Sequence, residues 1–328
     1  MSNKIFSISS AFVLGASFAV ADVPKVAVDI APVHSLVSKV MNGLGKPNLI
    51  IPAEASPHEY QLRPSEAKAL QEAKLVFWIG EDLTPWLEKG LSTLAKDATI
   101  TTLLKADGIE LLDFREGALF EAHDHSDHDD HDDHDDHDHG KHKKKDDHDD
   151  HAGHEGHDHG EHDPHAWLSP GIAKVWLNLI AAKLSEVDPS NASTYFSNAS
   201  SANKDLDSLS DEINKILDPI RKEKFVVFHD AYQYFEKRFN VNVLGAFTVN
   251  TDVMPGAEQL AEIREIIEHD KVACVFSEPQ FNPDIINAVA KDMKIKTGVL
   301  DPLGATLDSG KDLYFKLIRN MSASFKGC

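Results

Sequence analysis

The chain has 328 residues, 33 lysines and arginines against 54 aspartates and glutamates, a formal net charge of −21, and 41% apolar residues. The acidity is local, because residues 121–163 carry eighteen acids and four lysines, −14 of the total. The remainder is only mildly acidic, so no nucleic-acid partner is expected and the overall charge argues little about other partners.

Residues 1–21 read as a secretory signal. Lys4 opens it, a mostly apolar run follows, and Ala19-Val20-Ala21 forms an A-x-A cleavage site. The run falls short of the roughly 20 residues a membrane-spanning helix needs, and no later stretch is long and apolar enough. The alternative is an uncleaved anchor. An exported chain of this length suggests two domains at about 150 residues each.

From residue 22 the chain alternates short β-branched runs with amphipathic stretches. Strands are expected at 25–30, 48–51, 75–80 and 109–114. Helices are expected at 34–41, from Pro64, with that proline at the first helical position and acids early, and from Thr84-Pro85. This order predicts a parallel sheet flanked by helices. The pattern returns after residue 220. Strands are expected at 224–228, 241–247, 272–276 and 295–300, with helices from about Asp230, at 257–269 and after Pro283.

Between these halves, Tyr195, Ala199, Ala202, Leu206, Leu209, Ile213 and Ile216 recur at intervals of four and three. That spacing is one apolar face of a continuous helix, bounded by Asp188-Pro189-Ser190 and Asp218-Pro219. About 28 residues at 1.5 Å each give roughly 40 Å. The expected class is α/β: two lobes with parallel sheets flanked by helices, joined by a long helix. The expected division is 22–187, 188–219 and 220–328. Cys274 and Cys328 are the two cysteines. In an oxidising compartment they are expected to pair, and neither belongs to a C-x-x-C motif.

The acidic run holds fourteen of the nineteen histidines: His123, His125, His128, His131, His134, His137, His139, His142, His148, His151, His154, His157, His159 and His162. Its composition cannot bury enough apolar area to order itself. It offers imidazoles and carboxylates without fixed geometry, which predicts several weak, exchangeable zinc sites. The plain alternative is a solvating acidic linker.

Five histidines remain. His58 follows a strand and a polar turn, His229 directly follows an apolar strand, and His165 precedes a helix beginning near Pro170. Asp301 also directly follows a strand. In open α/β sheets ligands bind beyond the carboxyl ends of strands. Three imidazoles there suit zinc, with an open or acidic fourth position. His34, at another strand-to-helix turn, stays a candidate on spacing alone. His269 lies at a helix end beside Asp270 and reads as structural.

The stretches PHEYQLRPSEAKALQEAKLVFWIG (57–80), DPHAWLSP (163–170), FVVFHDAYQYF (225–235) and LDPLG (300–304) resemble the cluster A-I (cluster 9) metal-binding proteins of ABC importers, above all their zinc-uptake members. The resemblance runs in order over essentially the whole exported chain. It implies two lobes, a rigid backbone helix, metal in the cleft between them, and delivery to a membrane permease from the periplasm. Matched motif by motif, the implied ligands are His58, His165 and His229. Asp301 matches an aspartate that is the fourth ligand in manganese members, and here it is a ligand or only a contact. Manganese members typically place a glutamate where this chain has His229, and a third imidazole is the more zinc-like choice. Some zinc members carry a glutamate where this chain has Pro57, so water or Asp301 is the expected fourth ligand. His34 matches no family ligand. The pair Cys274 and Cys328 resembles certain zinc-uptake members, as does a histidine-rich insertion before the second ligand.

The reading is thus a periplasmic, monomeric zinc carrier. A manganese or iron carrier of the same family is the alternative. A zinc hydrolase would need a general base; the chain has no H-E-x-x-H, and Glu278 is the strand-end acid available. A surface adhesin is the third class, but the expected A-x-A signal has no lipobox cysteine to anchor the chain, which favours a free periplasmic protein.

Overall fold

The first strand, β1 (Val26–Val28), is fully buried on both faces, as its unbroken apolar run requires in a covered parallel sheet. The structure is a computed structural model that describes residues 23–115, 117, 119–120, 162–249, 251 and 255–328. The expected signal segment and His123, His125, His128, His131, His134, His137, His139, His142, His148, His151, His154, His157 and His159 lie outside the described residues; His162 lies within them.

From β1 the chain runs through α1 (Ala31–Val40), β2 (Asn48–Leu49), α2 (Pro64–Glu72), β3 (Leu75–Trp78), α3 (Pro85–Leu94) and β4 (Thr99–Thr102). The four strands form a parallel sheet in the order β2-β1-β3-β4. The fourth strand was expected at 109–114 and is instead the β-branched run Thr-Ile-Thr-Thr, which suits an edge pairing with β3. Residues 109–114 leave the sheet and cross to the second half, where the backbone N–H of Leu112 donates to the Tyr234 hydroxyl at 3.0 Å.

The helices α4 (Pro170–Val187) and α5 (Ala192–Leu217) follow. One-turn 3-10 segments at Pro189–Asn191 and Asp218–Ile220 extend α5 at both ends, so the expected long connecting helix is present. The buried Asp188 gathers its start, accepting from Ser190 Oγ, Asn191 Nδ2 and the Tyr195 hydroxyl at 2.7–2.8 Å. Its buried stripe follows the expected spacing, except that Leu217 is buried at the end while Ile216 is only partly covered.

The second half contains β5 (Lys224–His229), α6 (Gln233–Phe239), β6 (Asn242–Thr248), α7 (Ala257–His269), β7 (Cys274–Ser277), α8 (Asp284–Met293) and β8 (Lys296–Val299). Its sheet is also parallel, in the order β6-β5-β7-β8, so the two halves share one strand order. In each, the connections diverge on either side of the first strand. That switch point opens a crevice at the carboxyl ends.

The helix α9 (Leu313–Gly327), not anticipated above, leaves the second sheet and packs against α1 and α5. The Tyr314 backbone N–H donates to Ser35 Oγ at 3.0 Å, and its hydroxyl to the Trp167 carbonyl at 2.8 Å. One apolar core accordingly contains residues of both sheets. Cys274 and Cys328 form a disulfide with Cα atoms 5.7 Å apart, tying α9 to β7. Gly298 passes so close that a Cβ there would meet the Phe276 ring at 2.5 Å and Cys328 Sγ at 3.0 Å. Only glycine fits.

Candidate metal centre

Each half uses its switch point differently. In the first sheet the crevice is closed by Asp29, which follows β1. Its two oxygens accept from the backbone N–H groups of Ile30 and Ile79 at 2.7 and 2.6 Å. Burial pushes this carboxyl up to about 7 against those hydrogen bonds. In the second sheet His229 ends β5 and Glu278 directly follows β7, so an imidazole and a carboxylate share the crevice.

His58 reaches this point from the loop between β2 and α2. Trp86 Nε1 donates to the Pro57 carbonyl at 2.9 Å and fixes the residue before it. Glu66 holds the loop's exit, accepting from the Arg63 N–H at 2.7 Å and the Tyr60 hydroxyl at 2.8 Å. His165 arrives at the head of a 3-10 turn, Ala166–Leu168. Trp167 anchors that turn to the other lobe by donating from Nε1 to the Pro302 carbonyl at 2.8 Å.

The structure brings His58, His165 and His229 together, with one ring nitrogen of each lying within 4.8 Å of the others. His165 and His229 are buried, and their Nε2 atoms are 3.4 Å apart. The Nδ1 of each points the other way. His165 Nδ1 donates to Asp163 Oδ1 and His229 Nδ1 to Glu278 Oε1, both at 2.7 Å. Carboxylates there place the proton on Nδ1 and leave Nε2 as a bare lone pair facing the centre. Two lone pairs so placed repel unless a proton or a metal ion lies between them. A tetrahedral zinc with nitrogen bonds of about 2.05 Å has ligand–ligand edges of about 3.3 Å, which is the spacing seen.

Electrostatics separate the two buried rings. Burial, then the neighbouring His229 charge, hold His165 well below the ordinary histidine range. Burial also disfavours the His229 cation, but the charge and hydrogen bond of Glu278, with Asp230 and Asp163, raise it above that range. Burial pushes Asp163 up to about 7, offset in part by the His165 backbone N–H and the charge of Arg115. The space beside the rings, lined also by Ser56, Gln280, Phe281 and Leu303, opens to solvent and has room of about 10 Å³. A volume of that size holds about one ion or water.

Asp301 lies outside this nitrogen cluster. Its Oδ1 accepts from the backbone N–H groups of Leu303 and Gly304 at 3.2 and 2.8 Å and from Gln280 Nε2 at 3.2 Å. Gly304, at φ +81, makes that turn possible. His34 is buried in α1, where its Nε2 donates to the Pro47 carbonyl at 3.1 Å, and the structure does not bring it to the cluster. His162 faces Asp113 at 3.0 Å. Glu278, considered above as a hydrolytic base, is instead committed to His229. The orienting role of Asp163 escaped the sequence reading. Its one trace is the spacing D-P-H, an acid two residues before a ligand candidate.

Comparison with known proteins gives the family and the fold. The ZnuA family, described as zinc-uptake complex component A periplasmic, matches residues 26–328. The high-affinity zinc uptake system protein ZnuA of Brucella abortus (strain 2308) is 48% identical, covering 92% of this chain and 91% of the relative. That of Paracoccus denitrificans is 42% identical, covering 94% and 92%. A crystal structure of ZnuA superimposes with a TM-score of 0.73 at 23% identity, covering 93% and 99%, which establishes the shared fold. No helix among the described residues is long and apolar enough to cross a membrane. The chain belongs to the ZnuA family of periplasmic zinc-uptake components.

Proposed function

We propose that the protein captures one zinc ion in the cleft between its lobes, in the periplasm, and delivers it to the membrane permease of an ABC importer. His58, His165 and His229 are the ligands, with water or Asp301 completing the shell. The observation that carries this reading is the 3.4 Å between two Nε2 atoms whose protons are held elsewhere by buried carboxylates. Three imidazoles favour zinc over manganese or iron. The protein acts as a monomer, with lobes 22–187 and 220–328 about the connector 188–219. The fourteen histidines of the acidic run hold further zinc weakly.

The test is calorimetry with zinc on each of His58→Ala, His165→Ala and His229→Ala. Each is expected to abolish the tightest equivalent. A variant that keeps affinity within about threefold of the parent removes that residue from the ligand set.

A further inference from the structure

The segment that leaves the first sheet after residue 108 crosses the cleft and is fastened to the second lobe at several points. Lys237 Nζ pairs with Glu110 at 2.8 Å, and Gln233 Nε2 donates to the Asp113 carbonyl at 3.0 Å. Leu119 bridges to Gly245, and the Phe120 N–H donates to the Leu244 carbonyl at 2.8 Å, so the segment pairs with the outer edge of β6. At its centre Arg115 spans two carboxylates. Its Nε donates to both oxygens of Asp230 at 3.2 and 3.0 Å, and its Nη2 also reaches Asp230. Nη1 and Nη2 donate to the two oxygens of Glu236 at 2.9 Å. The Phe120 ring covers the guanidinium at 3.5 Å. The three charged side chains are 14%, 4% and 11% exposed.

We propose that Arg115 is a positioning residue for the metal centre, clamping the first lobe to the turn that follows His229 and so setting how closely His229 approaches His165. Asp230 is the residue after His229, and its N–H is bonded to the Thr248 carbonyl at the end of β6. Glu236 lies on α6, whose Tyr234 hydroxyl donates to the Asp163 carbonyl at 3.0 Å. Asp163 is the carboxylate that orients His165. The clamp therefore holds the residue after His229 directly, and it reaches the carboxylate of His165 through α6 and the Tyr234 hydroxyl. A planar fork that satisfies two carboxylates at once fixes direction as well as distance, which a lysine cannot do. The elements this guanidinium joins, the crossing segment and α6, are not otherwise covalently close in the chain, so the clamp is a cross-lobe tie in addition to α5 and α9.

This inference rests on the three-histidine reading. The experiment uses the full chain loaded with one equivalent of zinc, transferred by stopped flow to excess chromophoric chelator. Unfolding temperature is measured with and without zinc. Arg115→Lys is expected to speed release of the tightest zinc about tenfold and to shrink the zinc-induced rise in unfolding temperature. Glu236→Gln, which leaves Arg115 and Asp230 as a balanced pair, is expected to move both in the same direction by less. If release in both variants stays within about twofold of the parent, while metal-free and zinc-loaded forms lose stability equally, Arg115 is a structural tie only and the proposal falls. His229→Ala is run alongside. If it too keeps the tight zinc, the ligand reading has failed; if it loses it while Arg115→Lys is silent, the clamp alone has failed.

Discussion

The Nε2 atoms of His165 and His229 stand 3.4 Å apart, although 64 positions separate the residues and they come from different lobes. Neither ring is free to turn away, since each Nδ1 is held at 2.7 Å by a buried carboxylate. On the proposed reading these carboxylates orient two of the ligands through the fold itself, so part of the ordering cost falls in folding rather than in binding.

The two carboxylates should matter nearly as much as the ligands. Asp163→Asn and Glu278→Gln keep size and shape but lose the charge that selects the Nδ1–H tautomer. Each is expected to weaken zinc binding by about 10- to 100-fold. Competition against a chelator of known affinity measures this. Affinities within threefold of the parent would mean that the rings are oriented by packing alone.

Asp301→Ala separates ligation from support. Its Oδ1 serves two backbone N–H groups and Gln280. Leaving such groups unmatched costs about 1–3 kcal/mol each when buried, less where water can reach them. The expected outcome is a lower urea midpoint with a smaller loss of zinc affinity than any histidine variant shows. A loss as large as that of His229→Ala would make Asp301 a ligand.

Zinc affinity should fall as pH drops from about 7.5 to 5. Ligation needs neutral imidazole, and the raised His229 must lose its proton, whereas His165 is already neutral. Asp163, at about 7, favours ionisation once its partner ring carries metal. Zinc should therefore displace one to two protons near neutrality, countable by calorimetry in buffers of different ionisation enthalpy. In the metal-free fold the signs differ. His229 and Asp163 have raised folded values, so their stabilising contributions are full below their unfolded values and are lost as pH rises through the folded ones. His165, depressed, contributes above its unfolded value and loses that as pH falls. A flat zinc affinity across the range would point to carboxylate ligation.

Removing residues 121–161 while keeping Arg115, Phe120 and His162 tests the acidic run. The tight zinc equivalent should persist with unchanged affinity, and additional weak equivalents should vanish from the titration. Loss of the tight equivalent would place a primary ligand in the run. An unchanged stoichiometry would leave it an acidic linker.

Much of this architecture was written in local patterns. Parallel strands buried on both faces read as apolar runs, and α7 appears at the residues its period marked, 257–269. His58, His165 and His229 stood out because strand ends in such sheets face a crevice. What stayed hidden depends on contacts across long separations. Asp163 left only its D-P-H spacing as a trace, and nothing local distinguishes Arg115, whose partners lie 115 and 121 positions away. The false strand at 109–114 has apolar residues that do pack against the core, but from a segment fastened across the lobes rather than within the sheet. The apolar face of α9 was legible in principle at helical spacing, while its docking on α1 was not.

The contact between Trp167 and His165 has an optical consequence. The indole is buried, its ring centroid 5.1 Å from that of His165, and its Nε1 is held by Pro302 of the opposite lobe. Its emission is therefore sensitive both to charge arriving at the imidazole and to any parting of the lobes. Trp176, hydrogen-bonded to the Leu103 carbonyl, and Trp78, bonded to Thr102, add background, while Trp86, bonded to the Pro57 carbonyl beside His58, adds a second signal near the site. On the proposed reading, filling and emptying are expected to change the intrinsic emission of the unlabelled protein through Trp167, over the signal of its other three tryptophans.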